Sequence, residues 1–516
     1  MPVPQRKPRH PHIGLPLDDP IRESGPHLAQ LLTHAITGDG PLYRQLADGL
    51  KHAIDRGEIA QGTVLPPERA LARSLAVSRS TVVAAYDRLK AEGWLDSRQG
   101  SGTWVLDPDE DAPTGVDAVA TGRVFLTLRG DGHPTGGEQV STDDDVIDLS
   151  VASLGGTGII ADAIAALQPE EIEALTAHHG YQPQGLRSLR DAVAARFTDT
   201  GLDTSADQLI VTTGAHQALS LVARQVLQAG DTVLVESPTF PGALDVFRRF
   251  AARAVPVPVD GDGLRTDMLA DLVARTDPVM IYLTPHFHSP TGAIMPIARR
   301  RQLGEIAAET GIVVVEDLAL ADLAIDDVDL PPPVAAVAEG ATVHTIGSTA
   351  KLFWAGLRIG WLRSPDSWAV RMLATKTVAD LGSPLISQLI AVRLLERADE
   401  IRAQRRALLR PRRDLLCRLI EETLPGWQFV RPPGGLSVWA TLPHGNADEF
   451  AEIALRHGVA VVPGPSLSVD EGNRRALRLV FSRPEPEIEE GMRRLAEAWE
   501  SYSPLPTPQS SARLLV

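Results

Sequence analysis

Five polar clusters, each set directly after a short apolar run, hold most of the chemistry this chain can do. Leu209-Ile210-Val211 leads to Thr212-Thr213-Gly214-Ala215-His216, and Thr232–Val235 leads to Glu236-Ser237-Pro238-Thr239-Phe240. Val279–Tyr282 leads to Thr284-Pro285-His286 and on to Pro290-Thr291-Gly292. Ile312–Val315 leads to Glu316-Asp317, and Val343–Ile346 leads to Gly347-Ser348-Thr349-Ala350-Lys351. Thr213, Gly214 and Ala215 open a helix, with His216 just inside it, and the free amides of such a turn favour a phosphate. Ser348 and Arg358 add a hydroxyl and a permanent charge for the same group. Phe240 offers a face for stacking, and Asp317 suits a cation or a protonated ring nitrogen. Lys351 forms a Schiff base if burial and neighbouring cations lower its pKa. Phosphate, ring and aldehyde together describe pyridoxal phosphate. Taken singly, each residue has an ordinary alternative: a plain turn, a core aromatic, a solvated lysine, a surface arginine. The ordered set is what carries weight.

Positioning these clusters requires strands. Helical segments lie between the apolar runs, which predicts an α/β fold with a mostly parallel sheet. Ligands of such sheets bind outside the carboxyl ends of the strands, so five polar clusters at five strand ends converge on one site.

The chain has 516 residues, 43% hydrophobic and 22% charged, values of an ordinary globular protein and not of a disordered one. Cys417 is the single cysteine, so no intrachain disulfide forms. Met1–Pro20 lacks the apolar stretch of a signal peptide, and no apolar run reaches the roughly 18 residues of a membrane span. A cytoplasmic protein is expected. The net charge of −16 is unevenly spread: residues 1–106 carry 13 Lys/Arg against 11 Asp/Glu, a balance of +2, which leaves −18 on the other 410. A near-neutral front on an acidic body suggests two modules with different partners. The expected division is a tail over 1–27, a helix-rich module over 28–106, a linker over 107–145, a body over 146–502 and a second tail over 503–516. Within the linker, Val124–Leu128 is a candidate ordered patch.

In the front module Leu42, Leu46, Leu50 and Ile54 recur every four residues, one face of a helix that Gly57 is placed to end. Pro66-Pro67 opens a second helix through Leu75, and Ser78 caps a third that runs to about Glu92 and turns Val82, Tyr86 and Leu89 inward. This leaves Arg79, Ser80, Thr81 and Val83 near a free helix N-terminus, the geometry that enters a major groove. Leu95–Arg98 and Thr103–Val105 form a hairpin around Gln99-Gly100-Ser101-Gly102, a wing over the DNA backbone, with Arg69, Arg73 and Arg98 as phosphate contacts.

Two resemblances sharpen this reading. Pro41-Leu42-Tyr43 with Gln45-Leu46, Leu65-Pro66-Pro67-Glu68-Arg69 with Leu71-Ala72, Val77-Ser78-Arg79-Ser80-Thr81-Val82, Tyr86 with Leu89, and Gly100-Ser101-Gly102-Thr103 resemble the signature of GntR-family winged helix-turn-helix regulators. The resemblance implies binding of double-stranded operator DNA. The body resembles fold type I aminotransferases through Tyr181-Gln182-Pro183-Gln184-Gly185 with Leu189-Arg190, Thr213-Gly214, Pro238-Thr239-Phe240, Pro290-Thr291-Gly292, Asp317, Ser348-Thr349-Ala350-Lys351 and Gly356-Leu357-Arg358-Ile359-Gly360. It implies a smaller C-terminal α/β subdomain beside the large sheet. It also implies that Lys351 is the Schiff-base lysine, Asp317 the partner of the pyridine nitrogen and Phe240 the ring-stacking residue. Arg478, in Leu477-Arg478-Leu479-Val480-Phe481, is then the arginine for a substrate or effector carboxylate, and Tyr181 reaches the phosphate of a neighbouring subunit. The fusion of both modules resembles the MocR subgroup, which implies a head-to-tail homodimer.

The body departs from the enzyme pattern at two places. Aminotransferases usually carry Asn directly before Pro-Thr-Gly and Tyr two or three residues after the aspartate, both bonding the cofactor's phenolic oxygen. Here stand Ser289, and Ala319 or Leu320. Many MocR members keep the tyrosine, so the chain departs from them too. Loss of one preorganised group of this kind costs about 10²–10³ in rate. His286 and His288 are the candidate substitutes, ordinary loop histidines being the plainer reading. The expectation is a DNA-binding regulator that holds pyridoxal phosphate as a Schiff base, senses it or an amino-acid effector, and transaminates poorly. The alternative is a working aminotransferase with an accessory winged helix.

Overall fold

The computed structural model describes residues 25–32, 42–55, 59, 63–75, 77–91, 94–98, 102–105, 146–470 and 472–502. The chain divides into two compact units, Met1–Ala118 and Val119–Val516. The expected linker with its patch Val124–Leu128, the tail 503–516 and nearly all of the tail 1–27 lie outside the described residues.

The first unit packs the helices Gly25–Leu32, Leu42–Asp55, Glu68–Ser74 and Arg79–Ala91 around one apolar core. Leu46, Leu50, Ile54, Val82, Tyr86 and Leu89 all enter that core. Leu42, expected on the same face, is instead 46% exposed, because it is the first residue of its helix and lies a full turn ahead of the core. Leu28 and Leu32 complete the core from a helix that starts inside the stretch expected to be tail. Three short strands, β1 (Val64–Leu65), β2 (Leu95–Arg98) and β3 (Gly102–Val105), form an antiparallel sheet in the order β1-β3-β2, with β2 and β3 as the expected hairpin. Ser78 does cap the helix Arg79–Ala91: its Oγ accepts the Thr81 amide at 3.1 Å. Tyr86 donates its hydroxyl to the Pro66 carbonyl at 3.0 Å, tying this helix to the Pro66-Pro67 turn.

In the second unit, β4 (Ile147–Asp148) precedes the strands of the main sheet. These are β5 (Leu209–Thr212), β6 (Thr232–Ser237), β7 (Arg253–Asp260), β8 (Gly263–Leu264), β9 (Met280–Leu283), β10 (Val313–Asp317), β11 (Val343–Ser348) and β12 (Gly360–Arg363). Their order is β5-β12-β11-β10-β9-β6-β7-β8. The central neighbours β7, β6, β9, β10 and β11 run parallel, while β12 is inserted antiparallel between β11 and β5. Leu234, Ile281 and Val314 face one apolar layer, and Val233, Met280 and Val315 the other, so the sheet is covered on both sides. Glu236, Asp317 and Ser348, expected just beyond their strands, are ladder residues in β6, β10 and β11.

A smaller antiparallel sheet follows, of β13 (Gln428–Phe429), β14 (Ser437–Thr441), β16 (Val462–Pro463) and β17 (Ala476–Val480), in the order β13-β14-β17-β16. Between them in sequence, β15 (Val459–Ala460) pairs in parallel with β4. The start of the body is therefore built into its C-terminal subdomain. Among the described residues, no helix is long and apolar enough to cross a membrane.

Candidate functional site

The carboxyl ends of β5, β6, β9, β10 and β11 open onto one cavity of about 500 Å³. Gly214, Ala215, His216, Phe240, Asp317, Ser348, Lys351, Arg358 and Arg478 all line it. Residues spread over the whole body thus meet at the strand ends, as the alternation of runs and clusters predicts.

Lys351 sits in a single π-helical turn, Ala350–Trp354, and donates from Nζ to the Ala152 carbonyl at 2.7 Å. Burial lowers its pKa to about 8, helped by the Arg478 charge and opposed by Asp317. Asp317 ends β10, where Oδ1 accepts the Ala319 amide at 2.9 Å and Oδ2 accepts the Tyr282 hydroxyl at 3.0 Å. Burial raises the pKa of this carboxyl against the pull of both hydrogen bonds. Tyr282 also lines the cavity and is fully buried. Nothing in its sequence context marks it as a site residue, since it reads as one more apolar position in its run.

Gly214 precedes the helix Ala215–Val226 at φ +125°, a backbone conformation that favours glycine. A Cβ placed there would meet Arg358 Nη2 at 3.4 Å, so the guanidinium stands over the helix N-terminus. Arg358 itself is left-handed, at φ +53°. Ser348 accepts the Ala350 amide at 3.1 Å and donates to the Ile359 carbonyl at 3.4 Å. His216 and Phe240 both reach Gly242, where a Cβ would meet Phe240 ring carbons at 2.5 Å and His216 Nδ1 at 3.2 Å.

One candidate falls away from the cavity. The Thr213 amide, expected to face the ligand, donates instead to Gln217 Oε1 at 2.9 Å, and Gln217 in turn bonds Asp380. Tyr181, expected to reach the site of a neighbouring subunit, is 63% exposed on this chain, its ring beside His179.

The loop histidines separate. His286 packs Nε2 against the Pro331 carbonyl at 2.8 Å and Arg300 Nη1 at 3.2 Å, outside the cavity lining. His288 lines the cavity, with Nδ1 at 2.8 Å from Thr291 Oγ1 and Nε2 at 3.3 Å from Glu236 Oε2. Burial lowers the His288 pKa to about 4, which leaves the imidazole neutral near pH 7, and raises the pKa of the Glu236 carboxyl well above its ordinary value. Between the two histidines Phe287 is held at φ +50° with its ring against Gly434.

Arg478, in β17, donates from Nη2 to the Ser150 carbonyl at 2.5 Å, while its buried Nε has no hydrogen-bond partner. Burial lowers its pKa to about 10. The segment Ser150–Ser153 therefore lies along two cations of the cavity, Lys351 and Arg478, a wall whose part in the site sequence reasoning did not anticipate.

In the first unit Arg69, Arg73, Ser78 and Arg79 are exposed, and Thr81, half-buried, bonds Ser78 Oγ at 2.7 Å. Gly102 begins β3, whereas Gly100, Ser101 and the side chains of Ser80 and Arg98 lie outside the described residues.

Comparison with known proteins matches residues 144–495 to the family of class I and II aminotransferases and residues 42–105 to the bacterial regulatory proteins of the gntR family. The chain is 30% identical over 471 residues to the uncharacterized HTH-type transcriptional regulator YisV of Bacillus subtilis, covering 89% of this chain and 96% of that one. It is 31% identical over 353 residues to the probable rhizopine catabolism regulatory protein MocR of Rhizobium meliloti, covering 64% and 67%. Among solved structures, the α-aminoadipate aminotransferase LysN of Thermus thermophilus, complexed with N-(5'-phosphopyridoxyl)-L-leucine, superposes with a TM-score of 0.64 at 29% identity. That match covers 69% of this chain and 92% of LysN.

Proposed function

We propose that this chain, which belongs to the class I and II aminotransferase family and, through its gntR-type module, to the MocR subgroup of transcription regulators, binds operator DNA under the control of pyridoxal phosphate, an amino compound, or both. The observation that carries the reading is the gathering of Lys351, Asp317, Phe240 and Arg358 around one cavity with Arg478, whose Nε is buried without a partner.

These residues fit the cofactor. Arg358, Ser348 and the amides of Gly214 and Ala215 suit its phosphate, in a cradle that a Cβ at Gly214 would narrow. Phe240 suits the ring face and Asp317 the ring nitrogen. Lys351, its pKa lowered to about 8, suits the aldehyde. When bound, the cofactor supplies that electrophilic aldehyde and an electron sink. Ser289, Ala319 and Leu320 give its phenolic oxygen a poorer set of donors than Asn and Tyr do, which favours sensing over turnover. Ligand binding changes operator affinity only if the ligand favours one of two arrangements of the regulator, which we take to be a head-to-tail homodimer working in the cytoplasm.

The rival reading is a working aminotransferase, favoured by the intact Lys351, Asp317 and Arg478. Affinity for the DNA upstream of the chain's own gene, measured at fixed salt with and without pyridoxal phosphate, tests the proposal. A shift of about tenfold, or about 1.4 kcal/mol of coupling, makes the cofactor the signal. Tight binding without a shift makes it a fixed group and directs the search to amino-acid effectors. Absence of specific DNA binding, together with turnover at roughly 1 per second or faster, overturns the regulator.

A further inference from the structure

The charges of the cavity define the class of effector, an inference that rests on the cofactor reading above. Among the described residues that line it, four side chains bear a carboxyl, amino or guanidinium group: Asp317, Lys351, Arg358 and Arg478. His216 and His288 also line it, but burial lowers the pKa of both imidazoles, and burial likewise disfavours the charged form of Glu236 behind His288. The cofactor engages three of these four groups: Asp317 at the ring nitrogen, Lys351 at the aldehyde and Arg358 at the phosphate. Arg478 remains, with one buried N–H unpaired. That is provision for a single carboxylate.

The other features of the lining concern the rest of such a molecule. Val151, Phe287, Leu320 and Leu436 form apolar wall, and Gly434 and Gly435 add backbone without side chains. Phe287 is fixed firmly for this role. The histidines on either side of it are anchored, His286 to the Pro331 carbonyl and His288 to Thr291, and the strained backbone at φ +50° is held between them. A second carboxylate would enter this wall with no further cation among the described lining residues to pair it, and an ammonium would find Asp317 engaged. Burial of an unpaired charge is strongly unfavourable, whereas apolar area gains from contact with such a wall.

We propose that the effector is an amino acid with one carboxylate and an uncharged, apolar side chain, its carboxylate on Arg478 and its side chain on Phe287, Leu320 and Leu436. The test titrates the full chain, loaded with pyridoxal phosphate, with L-leucine, L-glutamate and L-lysine, and follows the cofactor's visible absorbance at equilibrium. Half-saturation by leucine at a concentration at least about tenfold below that of glutamate and lysine is the expected result, since tenfold corresponds to about 1.4 kcal/mol. Leu320→Arg, provided that it retains the cofactor's absorbance, should reverse the order of leucine and glutamate. Equal or tighter binding of glutamate or lysine by the unaltered protein overturns the proposal, as does no response to any of the three. A protein that shows no cofactor absorbance at the outset fails one step earlier, at the cofactor reading itself.

Discussion

Lys351 Nζ donates a hydrogen bond to the carbonyl oxygen of Ala152 across 2.7 Å. The carbonyl two residues earlier, that of Ser150, accepts from Arg478. One short stretch of backbone thus holds both the Lys351 ammonium and the Arg478 guanidinium in place. If Lys351 is the residue that captures the aldehyde, Lys351→Ala removes the visible absorbance of the cofactor completely while the thermal transition of the body remains. Absorbance that survives dialysis and gel filtration of the variant sinks the assignment.

The second prediction concerns pH. Burial and Arg478 place the Lys351 pKa near 8, below the usual lysine value. Only the neutral amine attacks an aldehyde. Below about pH 8 the neutral fraction falls about tenfold per unit, and above it the fraction levels off. The rate of cofactor capture, read by stopped-flow absorbance, should therefore rise with pH and flatten near 8. A rate still climbing steeply between pH 9 and 10 would show an unperturbed lysine.

Arg358 stands over the Gly214 turn, and among the described residues it is the guanidinium nearest that turn. Arg358→Gln should weaken cofactor retention by about 10- to 100-fold, the loss expected for a charge-assisted contact of about 1.5–3 kcal/mol. Equilibrium dialysis measures it. An unchanged affinity would place the phosphate elsewhere in the cavity.

Gly360 reaches the same turn from the opposite side. A Cβ on it would lie 2.7 Å from Gly214 Cα and 2.8 Å from the Gly347 carbonyl oxygen, with backbone rather than a flexible side chain in the way. Gly360→Ala should lower body stability by about 1–3 kcal/mol through overpacking. It should also loosen the cofactor if its phosphate sits at the Gly214 turn, because relief requires moving that turn as well as the Gly347 carbonyl. Calorimetry and dialysis together check this; a variant as stable and as tight as the parent would contradict the packing.

Arg79 is exposed at the first position of the helix Arg79–Ala91. Arg79→Ala should reduce specific DNA binding by about 1–3 kcal/mol, the range for one good base contact, and leave the cofactor absorbance unchanged. A mobility-shift titration at fixed salt reads the first, a spectrum the second. Intact operator affinity would remove Arg79 from the interface.

The strands and the residues at their carboxyl ends were legible because apolar runs and polar clusters mark them locally. Where a strand stops was less so: Glu236 and Ser348 read as loop residues by polarity, yet each continues its ladder, since backbone pairing is indifferent to the side chain. Thr213 was misread for a related reason. Its amide lies in the expected turn, but Gln217, one helical turn on, takes it. The roles of His286 and His288 follow from the backbone reversal at Phe287, which adjacency in sequence does not reveal. Least legible was the wall Ser150–Ser153. It is placed by the pairing of β4 with β15, so residues near 148 depend on partners near 460, and no local pattern encodes that distance.

Because Lys351 and Arg478 rest on main-chain carbonyls, their resting partners are immune to side-chain exchange. Every amino acid carries that oxygen, so residues 150–152 are free to drift in identity without unfastening either cation. Changes to the path of the chain are another matter. A deletion, or a proline that redirects the backbone, would displace both oxygens together. For the fastening of these two cations, the route of the wall through the molecule matters and its spelling does not.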